Sequence, residues 1–162
     1  MSEKPLGIKI LSALHLLGGI LLAFNTIVNA MRFRELEAKL HGTPILAIML
    51  LAYLAVLALS SGIGMWQGRQ WGWWLAAFFY VHGIVRFGSY FQKIPAMAEQ
   101  IKLSGAGIRY LYTIAGLKIL ASAAILIYLL SPRVWATFGL GKVKRLIVVA
   151  GLFGIALLVG AF

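Results

Sequence analysis

Residues 45–66 of the chain, ILAIMLLAYLAVLALSSGIGMW, form 22 consecutive positions without a charged side chain. A helix needs about 20 apolar residues to cross the hydrocarbon core of a membrane. The whole chain has the same character, because 62% of its residues are hydrophobic and only 12% are charged, whereas soluble domains carry roughly 25% charged residues. This composition excludes an ordinary soluble globule and predicts an integral membrane protein.

Further apolar segments lie on both sides of residues 45–66. They predict an all-α fold, a polytopic transmembrane helical bundle with four core spans and a fifth, C-terminal span. The predicted spans cover residues 6–28, 45–66, 71–91, 110–130 and 146–162. The last span is at the lower length limit for a crossing, so a re-entrant or interfacial helix is its alternative. These spans leave room only for short loops, and residues 1–162 are predicted to be a single membrane domain.

The turn at residues 67–70, QGRQ, is short enough to predict an antiparallel hairpin of the two spans that flank it. Tryptophan is common where a membrane span meets the lipid headgroups. The four tryptophans around this turn therefore predict an interfacial aromatic belt, made of Trp66, Trp71, Trp73 and Trp74. Lys and Arg are nearly balanced between the two sides of the predicted bundle, so the positive-inside rule leaves the orientation open.

Three other connections have recognisable patterns. Residues 92–109 contain Pro95 and two glycines, and we expect a loop with at most one surface turn of helix. An amphipathic pattern predicts a surface helix at about 30–41. A second surface helix is expected at 132–138, because a proline occupies its first position and Gly139 ends it.

The acidic residues all lie outside the predicted spans: Glu3, Glu35, Glu37 and Glu99. Coupled transport and acid–base catalysis inside a membrane usually need a buried carboxylate. The chain also has no cysteine, so it lacks a thiolate nucleophile and a Cys-based metal site. The net charge of +11 comes from scattered residues rather than a basic stripe, which argues against nucleic-acid binding. We expect a protein that is not an enzyme, with no catalytic residue, metal or cofactor.

Four basic residues lie at membrane depth within the predicted spans: His15, His82, Arg86 and Lys118. Polar groups in hydrocarbon need a partner, which makes them the first place to look for function. In the simplest interpretation they are interhelical hydrogen-bond donors that only fix the packing. In a second, they bind an external anion: a lipid phosphate, a fatty-acid carboxylate or an acidic residue on a partner subunit. In a third, His15 and His82 ligate a haem or chlorin, because both lie near the predicted midplane.

Small residues recur along the spans and predict close helix packing. The positions that we expect to serve this role are Gly18, Gly19, Gly62, Gly64, Ala150 and Gly154. The last two form an Ala-x-x-x-Gly pattern, which favours a dimer or partner-docking face on the C-terminal segment.

Several short stretches together resemble small uncharacterised multipass membrane proteins of bacteria and archaea, of the domain-of-unknown-function type with four spans. The stretches are KPLGI at 4–8, GIGMW at 62–66, WGWWLA at 71–76, YLLSPRV at 128–134 and FG at 138–139. The resemblance covers roughly residues 4–139 and implies a four-span bundle in a prokaryotic cytoplasmic membrane. It implies no activity and provides no functional residues to carry over.

The leading interpretation is a non-enzymatic accessory or assembly subunit that acts by lateral helix association. Its partners would be the lipid bilayer and another membrane subunit or a second copy of the chain. The alternative function is binding or transport of an anionic lipid or hydrophobic anion through the intramembrane basic residues. Haem or chlorin binding by His15 and His82 is the third hypothesis.

Overall fold

The computed structural model describes residues 4–33, 44–141 and 144–160. These residues form six helices and no strands, which confirms the predicted all-α class. In chain order the helices are α1 (Leu6–Met31), α2 (Pro44–Gln67), α3 (Gln70–Gln100), α4 (Gly105–Leu129), α5 (Pro132–Thr137) and α6 (Arg145–Gly160).

Three segments are long and apolar enough to cross a membrane: Leu6–Met31, Ile45–Gln67 and Gly105–Leu129. The chain is accordingly a membrane protein. The crossing expected at 71–91 lies within α3, and the one expected at 146–162 lies largely within the 16-residue α6. Both segments are helical as far as the structure describes them, and their passage through a membrane stays a prediction.

The loop predicted at 92–109 is wrong for most of its length. Helix α3 continues through Pro95 to Gln100, and α4 already begins at Gly105. Proline removes one backbone donor and usually kinks or breaks a helix. Here the segment around it is rich in helix-forming residues, and Ile94 and Ala98, at most 5% exposed, anchor it by burial.

The start of α4 is fixed by Ser104, whose hydroxyl accepts a hydrogen bond from the backbone N–H of Gly107 at 3.3 Å. This is an ordinary N-cap, and it satisfies one of the free donors of the first turn. Since α4 runs from Gly105 to Leu129, Lys118 lies at the middle of the helix. It is about 16–20 Å from either end by helix rise, deeper than the predicted span 110–130 implied.

The short helix expected at 132–138 is confirmed as α5, which ends at Thr137. Gly139 follows with a φ of 67°, a left-handed conformation that terminates helices and favours glycine. The other surface helix, expected at 30–41, falls mostly outside the described residues. Its first two positions, Ala30 and Met31, belong to the end of α1.

The chain forms two compact units. The first comprises Met1–Ala76 with Thr137–Gly139, and the second comprises Ala77–Ala136 with Leu140–Phe162. We call them unit 1 and unit 2. The expectation of one membrane domain over residues 1–162 stays a prediction.

In unit 1, α1 packs along α2, and the turn after α2 is as tight as predicted. Gly68 has a φ of 75°, and its N–H donates to the carbonyl of Met65. The N–H of Arg69 donates to the carbonyl of Gly64 at 2.8 Å. These two hydrogen bonds form a Schellman motif, which closes a helix and needs a left-handed residue at its end.

The hairpin is closed by contact between two glycines. A Cβ atom on Gly64 would lie 2.5 Å from the Cα of Gly72, and one on Gly72 would overlap the backbone of Gly64 and Met65. Because backbone atoms cannot move aside as a flexible side chain can, neither position has room for a larger residue.

The aromatic belt prediction needs one correction. Trp66 and Trp71 are 57% and 44% exposed, in keeping with a position at a lipid surface. Trp73 is fully buried and lies edge-on to Trp74, with 5.2 Å between the ring centroids. Trp73 is therefore a core residue, because its place on α3 turns it inward while Trp71 faces outward.

We expect Gly72→Ala to lower the free energy of unfolding by about 1–3 kcal/mol, the usual cost of overpacking. Gly88→Ala, on the same helix, is the matched control, since no described atom lies within 4 Å of a Cβ there. The control should be neutral or stabilising by up to about 1 kcal/mol. Thermal unfolding in detergent micelles measures both variants, and equal effects would contradict the tight glycine contact.

Candidate functional site

The four basic residues singled out in the sequence lie in two places. His15 is in unit 1, and His82, Arg86 and Lys118 are in unit 2. Both histidines are buried, at 4% exposure each, whereas Arg86 and Lys118 keep exposed surface. The two histidines therefore differ in environment from Arg86 and Lys118.

His15 belongs to a polar cluster between α1 and α2. Its Nδ1 lies 2.5 Å from the hydroxyl of Ser61, and that hydroxyl donates to the carbonyl of Ala58 at 2.9 Å. The Ala58 carbonyl is also in hydrogen-bonding contact with the His15 ring. Ser12, one turn before His15, is fully buried and donates to the carbonyl of Ile8 on its own helix. His15 and Ser61 thus satisfy each other across the helix contact, as interhelical packing donors do.

Two glycines allow this cluster to form. A Cβ on Gly19 would lie 2.7 Å from Cγ of Leu59, and one on Gly62 would lie 2.9 Å from Cγ of Leu16. Each glycine thus leaves room for a leucine side chain of the opposite helix. This packing brings the two backbones close enough for His15 to reach Ser61.

The remaining predicted packing positions differ among themselves. Gly64 makes the close contact with Gly72 described above. A Cβ added to Gly18 or to Gly154 would have no described atom within 4 Å, and Ala150 is exposed. Within the described residues, these last three do not support a close helix approach.

His82 lies on α3 with its ring stacked on that of Phe78, one turn earlier, at a centroid distance of 6.0 Å. It is not among the residues that line the cavity containing Arg86 and Lys118. Its ring nevertheless lies within range of a Coulombic interaction with Arg86, one turn later on α3. Haem or chlorin ligation by His15 and His82 stays a prediction.

Arg86 and Lys118 line one cavity between α3 and α4, with a volume of about 210 Å³. The side chains around them are aromatic or aliphatic: Phe87, Tyr90, Leu111, Ile114 and Ala115. The Lys118 ammonium lies over the Phe87 ring, 4.7 Å from its centroid. The cavity thus combines two cations with an apolar wall, the combination that an amphipathic anion requires.

Contacts between α3 and α4 on both sides of the cavity hold its walls in place. On one side, a Cβ at Gly83 would lie 3.3 Å from the Ser122 hydroxyl, so the helices are close there. On the other side, the rings of Phe91 and Tyr112 meet edge to face at 4.6 Å. Small residues at one end and aromatic residues at the other leave a gap at the level of Phe87 and Lys118.

The cavity lies in a part of the chain with very few negative charges. Glu99, near the end of α3, is the one acidic residue that the described ranges contain, and the sequence has no Asp or Glu after it. It is not among the lining residues. The two cations therefore share the cavity without a described carboxylate among its walls.

Sequence reasoning identified Arg86 and Lys118 but missed their aromatic neighbour. Tyr90 was visible from the sequence as the residue one helical turn after Arg86, at i+4. Phe87 was not, since its contact with Lys118 depends on the register between α3 and α4. That register depends on how the two helices pack, and the residue pattern of one helix does not predict it.

Comparison with known proteins gives no relative: the chain matches no protein-family model, no curated protein and no solved structure. The class of the protein, an all-α membrane protein, follows from its helices, and its function has to be argued from the cavity geometry.

We expect Ser61→Ala to destabilise unit 1 by about 1 kcal/mol, because it removes the hydroxyl that contacts the buried His15 ring. Ser12→Ala is the matched control, since Ser12 is equally buried but bonds only a carbonyl of its own helix. That control should change the free energy of unfolding by less than about 0.5 kcal/mol. Thermal unfolding in detergent compares the two, and a larger loss for Ser12→Ala would disprove the interhelical role of Ser61.

Proposed function

We propose that this protein binds an amphipathic anion, with a carboxylate or phosphate head and a hydrocarbon tail, in the cavity between α3 and α4. The observation that carries the proposal is the shared cavity of Arg86 and Lys118, each near the middle of its helix. Arg86 and Lys118 are the counter-charges for the head, and the aliphatic wall receives the tail.

Charge energetics favour an external anion. A charged side chain at the middle of a membrane helix costs roughly 2.5–3.5 kcal/mol on insertion scales. The contact of Lys118 with Phe87 recovers about 0.5–2 kcal/mol, depending on how far the pair is desolvated. The remainder is a cost that a bound anion offsets and that hydrogen bonds to neutral groups offset only weakly.

The chemistry of the two cations suits an oxyanion head. A guanidinium forms paired, parallel hydrogen bonds with a carboxylate or a phosphate, whereas an ammonium acts as a compact point charge. Together they provide one directional and one adaptable contact. A cavity of about 210 Å³ accommodates the head and the first carbons of the tail.

Lateral association as an accessory or assembly subunit, the leading interpretation of the sequence, is the second candidate. It is supported by α6, where Ala150 is exposed and a Cβ added to Gly154 would have no described atom within 4 Å. A small-residue face of this kind suits a second membrane helix. We further propose a multi-pass arrangement in a prokaryotic cytoplasmic membrane, with the protein acting without catalysis.

We expect Arg86→Gln and Lys118→Gln each to weaken anion binding by about tenfold, the effect of losing one charge-assisted hydrogen bond. Binding of oleate and of dioleoylphosphatidylglycerol to the purified chain is measured by native mass spectrometry. Tighter oleate binding would identify a carboxylate ligand, and tighter phosphatidylglycerol binding a phosphate ligand.

The matched controls remove a cation from the same helices outside the cavity: Lys93→Gln on α3 and Arg109→Gln on α4. Both residues are exposed, and neither lines the cavity. Equal losses in the controls and the cavity variants would refute the site, because binding would then follow surface charge. Lys118→Arg keeps the charge and should retain most of the affinity.

A further inference from the structure

A second, larger depression lies elsewhere in unit 2, between the C-terminal end of α4, the start of α5 and the first half of α6. Its volume is about 780 Å³, and its walls are mainly apolar: Ile127, Leu130, Pro132, Val149, Ala150 and Phe153. Arg145 is the charged residue among the described residues that line it, and Ser131 adds one hydroxyl. We call this depression the α4–α6 groove.

Arg145 lies beside a hydrogen-bonded turn that follows α5. The indole N–H of Trp135 donates to the carbonyl of Leu140 at 2.5 Å, and the N–H of Leu140 donates to the carbonyl of Trp135 at 3.2 Å. Both residues are buried, at 4% and 1% exposure. The guanidinium of Arg145 lies over the Trp135 ring, 5.5 Å from its centroid. A guanidinium over an aromatic ring is attracted to the face of the ring, and its N–H donors can still bind an oxyanion.

The groove has a polar end and an apolar end. Arg145 and Ser131 lie where α6 begins and where α4, a helix long enough to cross a membrane, has just ended. Phe153 lies two turns further along α6, about 12 Å away by helix rise. A molecule that fills the groove therefore needs a charged group at one end and a hydrocarbon portion along most of its length.

The positive charge at this end of the groove favours an anionic lipid over a second copy of the chain as its ligand. Lys144 and Arg145 are both exposed at this end, and the chain has no acidic residue after Glu99. Another copy of the same surface would bring cation against cation. Anionic headgroups attract such residues by about 1 kcal/mol for each Lys or Arg near the surface.

We infer that the α4–α6 groove binds an anionic glycerophospholipid, with its phosphate on Arg145 and an acyl chain along Val149 and Phe153. This site is separate from the α3–α4 cavity and does not depend on the function proposed for it. The lipid is bound at both ends, since the guanidinium over Trp135 contacts the phosphate and the apolar walls of the groove contact the acyl chain.

The test measures dioleoylphosphatidylglycerol and dioleoylphosphatidylcholine bound to the purified full chain by native mass spectrometry. The wild-type chain should prefer the anionic lipid. Arg145→Gln should lower phosphatidylglycerol affinity about tenfold through loss of the charge, and Ala150→Phe should lower it similarly by filling the groove with every cation kept. A chain carrying both Arg86→Gln and Lys118→Gln should still bind one phosphatidylglycerol at the groove, and comparing the groove variants in that background separates the two sites.

Two controls match these variants. Lys144→Gln removes the neighbouring charge outside the groove lining, and Ile155→Phe adds the same ring at an exposed α6 position outside it. Ile155→Phe should bind phosphatidylglycerol as the wild type does, and Lys144→Gln should lose clearly less affinity than Arg145→Gln. The inference is overturned by equal affinity for the two lipids in the wild type, by an equal loss in Lys144→Gln, or by full binding in Ala150→Phe. Retention of a second polypeptide that Ala150→Phe releases would overturn it in favour of helix association.

Discussion

The free-energy cost of a charge in apolar surroundings governs how this chain can function. A helical protein in lipid satisfies its backbone internally, so its side chains carry whatever polarity remains. Here the charged side chains are mainly cationic, because the sequence has 15 Lys and Arg against 4 Asp and Glu. Most of the cations lie at helix ends, where water and headgroups solvate them. Lys118 lies at the middle of α4, a helix long enough to cross a membrane, and its environment therefore needs a specific explanation.

The two units illustrate two ways of accommodating polar groups. In unit 1 the polar groups are neutral and complementary, and Gly19 and Gly62 bring α1 and α2 close enough for His15 and Ser61 to pair. That arrangement is complete without a ligand. In unit 2, Arg86 and Lys118 share a cavity with the Phe87 ring and aliphatic side chains, and no described carboxylate is among its walls. Helix packing alone explains the His15–Ser61 pair. It does not explain why two cations share an apolar cavity, and we therefore argue function from that cavity.

Sequence reasoning succeeded where the local sequence of one segment determines its structure. The 45–66 segment, the turn at Gly68 and the short helix after Ser131 follow from hydropathy and from local glycine and proline geometry. It failed at residues 92–109, where burial of Ile94 and Ala98 outweighs the helix-breaking tendency of Pro95. It also misplaced Trp73, because composition cannot tell an indole at a lipid surface from one inside a helix contact. The contact of Phe87 with Lys118 likewise depends on the register between two helices.

The two proposed sites differ in where their basic residues lie. Arg145 is at the start of α6, whereas Lys118 is at the middle of α4, and the cost of an unoccupied site differs accordingly. At the groove, Arg145 is exposed near a helix end, so an unoccupied site is inexpensive and a bound lipid gains mainly from shape and one charge. At the cavity, Lys118 is far from both ends of α4, so without an anion the site keeps a charge that the Phe87 ring stabilises only in part. Under the two proposals, removing a ligand from the cavity restores the cost of a charge at mid-helix, whereas removing one from the groove leaves the cation at an exposed helix end.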